Sequence, residues 1–181
     1  MLYYIHGYES SPDGAKGIIF KEKLNAKAIK YRDCKPEDIV ISNCLRRIAE
    51  EIKHDKDAVL IGSSLGGFLA AKTALENSNV KKIILFNPAV IPPSIDISTI
   101  KDMPMSILTD MKDNRLFNEK LDVEIFIFAG SEDEIVPPNW VLEFARAQEA
   151  TVRFLHDYHR FTRNIDRLPG LITELLYKKH L

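Results

Sequence analysis

The chain has 181 residues, 45% of them hydrophobic, and a formal net charge of −1. That suits one globular domain spanning 1–181 with a real core, and it gives no electrostatic footprint for nucleic acid. Acidic and basic residues are interspersed and no run approaches the ~20 apolar residues of a transmembrane helix, so neither a membrane partner nor a basic membrane-surface helix is expected.

The N-terminal Met1-Leu2-Tyr3-Tyr4-Ile5 lacks the basic n-region of a signal peptide and reads as a first strand over 2–5. The two cysteines, Cys34 and Cys44, are too few for a disulfide framework. A reduced, cytoplasmic protein is the expectation, with Cys44 a small core residue. A loop over 6–13 leads to a helix over 15–24, and 26–31 is a second short strand. Pro36 opens the next helix, with Ile39, Ile41, Leu45, Ile48 and Ile52 near helical spacing. Residues 58–61 form a short unbroken apolar run, the mark of a strand buried on both faces. The Ala-rich segment 68–75 is helical. Further strands are predicted over 83–86, 123–128 and 152–155, and helices over 139–147 and 171–178. Strands alternating with helix-length segments predict an α/β protein: a mostly parallel sheet in a three-layer α/β/α sandwich. Pro88, Pro92, Pro93 and Pro104 break the rhythm over 88–120. That stretch reads either as a long surface connection or as a small cap insertion, too short to be a domain of its own.

The chemistry concentrates where the strand over 58–61 ends. Gly62-Ser63-Ser64-Leu65-Gly66 fits G-x-S-x-G, with a strand before it and a helix after it, the pattern of a nucleophile elbow. The serine of such a turn has a strained backbone, and neighbours two positions away must lack a Cβ. That frame selects Ser64 over Ser63, which has Ile61 and Leu65 at those positions. A Gly-rich loop holding a phosphate is the plainer alternative, but no P-loop Lys-Ser/Thr pair follows and no G-x-G-x-x-G is present.

A serine hydroxyl needs a base. His180 lies at the chain end, His54 sits in a charged run, and His6 precedes Gly7 at the end of the first strand. His156 and His159 both follow the strand over 152–155. His159, further into the loop, is the favoured base and His156 the alternative. The base needs an acid to fix its tautomer. Glu132, Asp133 and Glu134 lie in a loop after the strand over 123–128, where parallel sheets place their sites. Asp133 is preferred, Glu132 is the backup, and Asp110 and Asp113 in the cap are weaker candidates. The oxyanion of a tetrahedral intermediate needs preorganised N–H donors. The Leu65 N–H follows from the elbow, and the Tyr8 N–H from the loop His6-Gly7-Tyr8-Glu9. The chain order Ser64, Asp133, His159 is that of a nucleophile elbow on an α/β-hydrolase sheet.

Taken together, these segments resemble the α/β-hydrolase superfamily along essentially the whole chain. The closest likeness is to small bacterial esterases of the YqiA/YcfP type. The carriers are Ile5-His6-Gly7-Tyr8-Glu9-Ser10-Ser11-Pro12 with Lys16 after it, the elbow through Gly67, Phe86-Asn87-Pro88-Ala89-Val90, Gly130-Ser131-Glu132-Asp133, and His159-Arg160-Phe161. The resemblance implies Ser64, Asp133 and His159 as a triad and no metal or organic cofactor. It also implies a small carboxylic ester or thioester as substrate. One departure stands out. Where relatives commonly carry Gly-Gly before the histidine loop tip, this chain has His156-Asp157-Tyr158, which leaves His156 a competitor for Ser64 or Asp133. Two rivals remain: a thioesterase or peptidase with the same triad, and a binding or scaffolding protein on the same fold with a vestigial site.

Overall fold

The structure is a computed structural model that describes residues 1–177. Strands β1 (Leu2–Ile5), β2 (Lys27–Ala28), β3 (Ala58–Ser63), β4 (Val80–Phe86), β5 (Glu124–Gly130) and β6 (Thr151–Leu155) form one sheet. Its order is β2-β1-β3-β4-β5-β6, and every neighbouring pair is parallel. The helices are α1 (Ala15–Leu24), α2 (Ile41–Ile52), α3 (Leu65–Glu76), α4 (Met105–Met111), α5 (Arg115–Asn118), α6 (Pro138–Gln148) and α7 (Leu168–Tyr177).

Strand side chains alternate between the two faces of the sheet. Leu60, Ile83, Leu85, Ile125 and Ile127 join one core cluster with Cys44, Ile48, Leu69 and Phe144 from α2, α3 and α6. Ile61, Ile84, Phe86 and Phe128 join the other, with Phe20 of α1 and Leu168, Leu171 and Ile172 of α7. Because both faces are covered, the central strands carry continuous apolar runs over 58–61, 83–86 and 125–129. The result is the expected α/β/α sandwich. Phe86 organises the second face: its ring stacks on Phe128 at 5.2 Å and meets Phe161 edge-on at 5.4 Å.

Several boundaries differ from the sequence reading. The strand expected over 26–31 pairs only at Lys27–Ala28, because it lies at the sheet edge and has one neighbour. Pro36 opens a single 3₁₀ turn, Pro36–Asp38, and not the helix. Ile39 and Val40 are extended, so α2 begins at Ile41 and buries Ile41, Cys44, Ile48 and Ile52 on one stripe. The last helix starts three residues earlier than expected, at Leu168; its expected end at Lys178, and His180, lie outside the described residues. The segment 88–120 carries a 3₁₀ turn at Ile97–Thr99 and the helices α4 and α5. Among the described residues no helix is long and apolar enough to cross a membrane.

Candidate active site

Ser64 occupies the turn between β3 and α3, with a positive-φ backbone at φ 54° and ψ −119°. A positive φ is costly for a side chain with a Cβ and persists only where surrounding contacts fix it. Here both backbone polar groups are tied. The Ser64 N–H donates to the Phe86 carbonyl at 3.0 Å, and its carbonyl accepts from the N–H groups of Gly67 at 2.8 Å and Ala89 at 3.1 Å. The flanking glycines are needed for close approach. A Cβ on Gly62 would lie 2.4 Å from the Gly66 carbonyl oxygen, and one on Gly66 would lie 2.1 Å from that of Ile5. The Ser64 hydroxyl faces a cavity of about 880 Å³ that His159, Gly7 and Tyr8 also line. Ser63 is buried.

His159 and Asp133 meet from two different loops. The carboxylate of Asp133 accepts from His159 Nδ1, which lies 3.0 Å from each of its oxygens. Side-chain exposures of 12% and 2% make this a water-shielded pair. The backbone N–H groups of Ile135 and Val136 also donate to Asp133 Oδ1, at 2.8 and 2.9 Å. With Asp133 accepting from Nδ1, that nitrogen carries the proton and Nε2 is left with a free lone pair. Among the described residues the Ser64 hydroxyl has no hydrogen-bond partner. Serine–histidine contacts of this kind often close only when substrate binds.

The alternatives from the sequence go elsewhere. His156 Nε2 lies 2.5 Å from Glu132 Oε1, and Arg163 Nη1 donates to Glu132 Oε2 at 3.1 Å. That cluster lies outside the residues lining the Ser64 cavity. Asp113 is paired with Lys72 and Arg115, and Asp110 lines a separate open groove between α2 and α3. His54 is exposed. His6 is buried; its Nδ1 donates to the Gly7 carbonyl at 2.9 Å and its ring stacks on Tyr31 at 4.3 Å. Burial pulls the His6 pKa down to about 4, so the ring is neutral at pH 7.

The Tyr8 loop is held by a residue the sequence did not flag. Arg32 donates to the carbonyls of Tyr8 at 2.6 Å and Ser10 at 2.9 Å. The Tyr8 N–H lies in this tethered loop, and among the described residues neither it nor the Leu65 N–H has an acceptor. Asn87 belongs to the Phe86–Val90 motif, but the sequence assigned it no role. It is buried at φ 44°, its Oδ1 accepts from the Gly130 N–H at 2.7 Å, and its Nδ2 donates to the His159 carbonyl at 3.0 Å. One side chain thus ties the start of the Asp133 loop to the His159 loop. The Asp157 carboxylate, wholly buried, accepts from the N–H groups of Tyr158 and Asn164 and from Asn164 Nδ2, which shapes the turn before His159. Phe161, at φ 57°, plugs that turn into the core beside Phe86. The Asn-Pro-Ala and His-Asp-Tyr segments were visible in the sequence, but nothing local showed which loops they join. Among the described residues no cluster of three or more His, Cys, Asp or Glu side chains could hold a metal ion.

A parallel sheet in this order, with a positive-φ serine entering the helix after β3, is the α/β-hydrolase fold. Solved structures share it. Est1E from Butyrivibrio proteoclasticus, solved with ferulic acid bound, superposes with a TM-score of 0.77 at 18% identity, over 97% of this chain and 87% of that one. Mouse α/β hydrolase domain-containing protein 10 gives 0.74 at 18% identity, over 97% and 88%. The monoacylglycerol lipase of Paleococcus ferrophilus gives 0.74 at 14% identity, over 97% and 93%. The chain belongs to the Uncharacterised protein family (UPF0227), whose model matches residues 1–175. No curated protein matches the sequence.

Proposed function

We propose that the protein is a serine esterase that cleaves small carboxylic esters or thioesters through Ser64, His159 and Asp133. The observation that carries this reading is the pairing of a strained, cavity-facing Ser64 with a shielded His159–Asp133 hydrogen bond across the same cavity. In this reading Ser64 Oγ bonds to the acyl carbon while His159 Nε2 takes its proton. Asp133 holds the Nδ1–H tautomer and stabilises the imidazolium that forms. The Leu65 and Tyr8 N–H groups receive the oxyanion. His159 then passes its proton to the departing alkoxide or thiolate, and the acyl group stays on Ser64. Water, deprotonated by His159, releases the acid and restores the hydroxyl.

Apolar side chains make up part of the cavity lining, beside Thr99, Lys101 and Asp102. Ile91, Met103, Leu108 and Met111 from 88–120, with Val136 and Trp140, line the same cavity. That segment therefore acts as a small cap that receives the acyl chain. Esterases and lipases among proteins of the same fold are compatible with this chemistry. The test is Ser64→Ala with p-nitrophenyl butyrate: turnover should fall at least about 10³-fold. A fluorophosphonate probe should label wild type and leave Ser64→Ala unlabelled. Undiminished turnover in the variant overturns the assignment; a folded wild type that neither turns over nor labels favours a binding protein.

A further inference from the structure

Lys16 projects from the first turn of α1 into the wall of the Ser64 cavity. Its Nζ donates to the Arg160 carbonyl at 2.6 Å, which fixes the ammonium one residue from His159. Among the described residues no carboxylate lies within ion-pair distance of it. Asp157, whose negative charge acts on it, already accepts N–H groups from Tyr158, Asn164 and the Asn164 side chain. Two other acids that line the cavity are also engaged. Glu9 pairs with Arg160 at 3.1 Å, and Glu134 accepts the His159 N–H at 3.1 Å.

An ammonium has three N–H donors, and one is used here. A partly desolvated cation without an anion is costly to hold, so a cavity that keeps one is set up to have it paired by what enters. Burial lowers the Lys16 pKa to about 8, which still leaves the group charged at neutral pH. The position of the charge indicates which end of the substrate it meets. A leaving group takes its proton from His159 and must lie beside it, whereas the apolar Ile91, Met103, Leu108 and Met111 come from the separate segment 88–120.

We propose that Lys16 binds an anionic group on the leaving alcohol or thiol, so that the preferred substrate joins an apolar acyl chain to a carboxylate- or phosphate-bearing leaving group. This rests on the esterase reading above. Lys16 is a specificity residue in this scheme, because it recognises a group remote from the bond that breaks.

Three esters decide it: 3-butanoyloxy-4-nitrobenzoate, with its carboxylate on the leaving phenol; the uncharged 2-nitrophenyl butyrate; and mono-4-nitrophenyl succinate, with its carboxylate on the acyl side. Wild type should favour the first over the second by about tenfold to a hundredfold in kcat/KM, mainly through KM. Lys16→Met should erase that preference, and Lys16→Arg should restore part of it. An equal loss on all three esters in Lys16→Met would mean that Lys16 only braces the His159 loop, which overturns the proposal. A preference confined to the succinate ester overturns it as well.

Binding gives a readout that needs no turnover and no variant. The single tryptophan, Trp140, lines the cavity, so its fluorescence should report 3-hydroxy-4-nitrobenzoate binding. At matched ionic strength that anion should bind at least about tenfold tighter than 2-nitrophenol. Equal binding overturns the anion site. A wild type that cleaves none of the esters yet shows this difference loses the esterase reading and keeps the site.

Discussion

His159 Nδ1 and the Asp133 carboxylate are held 3.0 Å apart by loops that follow different strands, and Asn87 bonds to the backbone of the histidine loop and of the strand end before Asp133. Asp133→Asn should therefore lower kcat by about 10²–10⁴-fold, because an amide no longer enforces the tautomer with Nε2 free. Glu132→Gln should leave kcat within a few-fold, since Glu132 meets His156 and Arg163 on the surface. Steady-state rates on p-nitrophenyl butyrate compare the two variants directly. A larger loss for Glu132→Gln would transfer the acid role to the His156 pair.

Asn87 is a separate prediction. Its amide satisfies the buried Gly130 N–H and reaches the His159 carbonyl, so Asn87→Ala leaves both without their partner. It should destabilise the fold by about 1–3 kcal/mol in urea denaturation. It should also depress kcat in the fraction that stays folded, since His159 loses an anchor. An intact kcat at native-like stability would show that the two loops hold themselves.

Gly66 and Gly170 make a matched pair. A Cβ at Gly66 would lie 2.1 Å from the Ile5 carbonyl oxygen and 2.6 Å from that of His6, backbone atoms that cannot swing away. Gly66→Ala should cost about 3 kcal/mol or more, or prevent folding. Gly170 sits exposed in α7, and a methyl group there would meet no atom within 4 Å, so Gly170→Ala should gain about 0.5–1 kcal/mol. Thermal midpoints of the two variants should move in opposite directions.

His6 sets an acid limit on stability. Its folded pKa of about 4 lies below the ordinary 6.5 because burial disfavours the charged ring. Above pH 6.5 neither state is protonated and the group makes no difference. Between about 6.5 and 4 the unfolded chain binds a proton that the folded chain does not, so stability falls as pH falls. The loss should approach about 3 kcal/mol near pH 4. His6→Asn should flatten the dependence of the urea midpoint on pH across that window. An unchanged slope would mean that His6 is accessible to protons in the folded state.

Much of this was legible locally. Gly62, Ser64 and Gly66 marked the serine turn because only a Cβ-free residue tolerates the carbonyls of Gly66 and Ile5 at its flanks. The run 58–61 announced a doubly buried strand because a parallel sheet covered by helices leaves it no polar side. Local pattern misplaced the start of α2, since Pro36 satisfies a helix start equally well as a lone 3₁₀ turn. It also overextended the second strand, whose pairing depends on a neighbour far away in the chain.

The amino-acid sequence by itself determined the alternation of strands and helices, the serine turn and the order in which serine, acid and histidine arise, because these follow from short-range sterics and hydrophobic period. Only the tertiary structure shows which acid meets which histidine. Asp133 and His159, 26 positions apart, are joined because the parallel register of β5 and β6 sets their loops side by side, whereas the same register sends Glu132 and His156 to solvent. The same holds for Lys16, whose place in the N-terminal motif says nothing of a role, and which becomes a cavity cation because α1 packs beside the loop that follows β6.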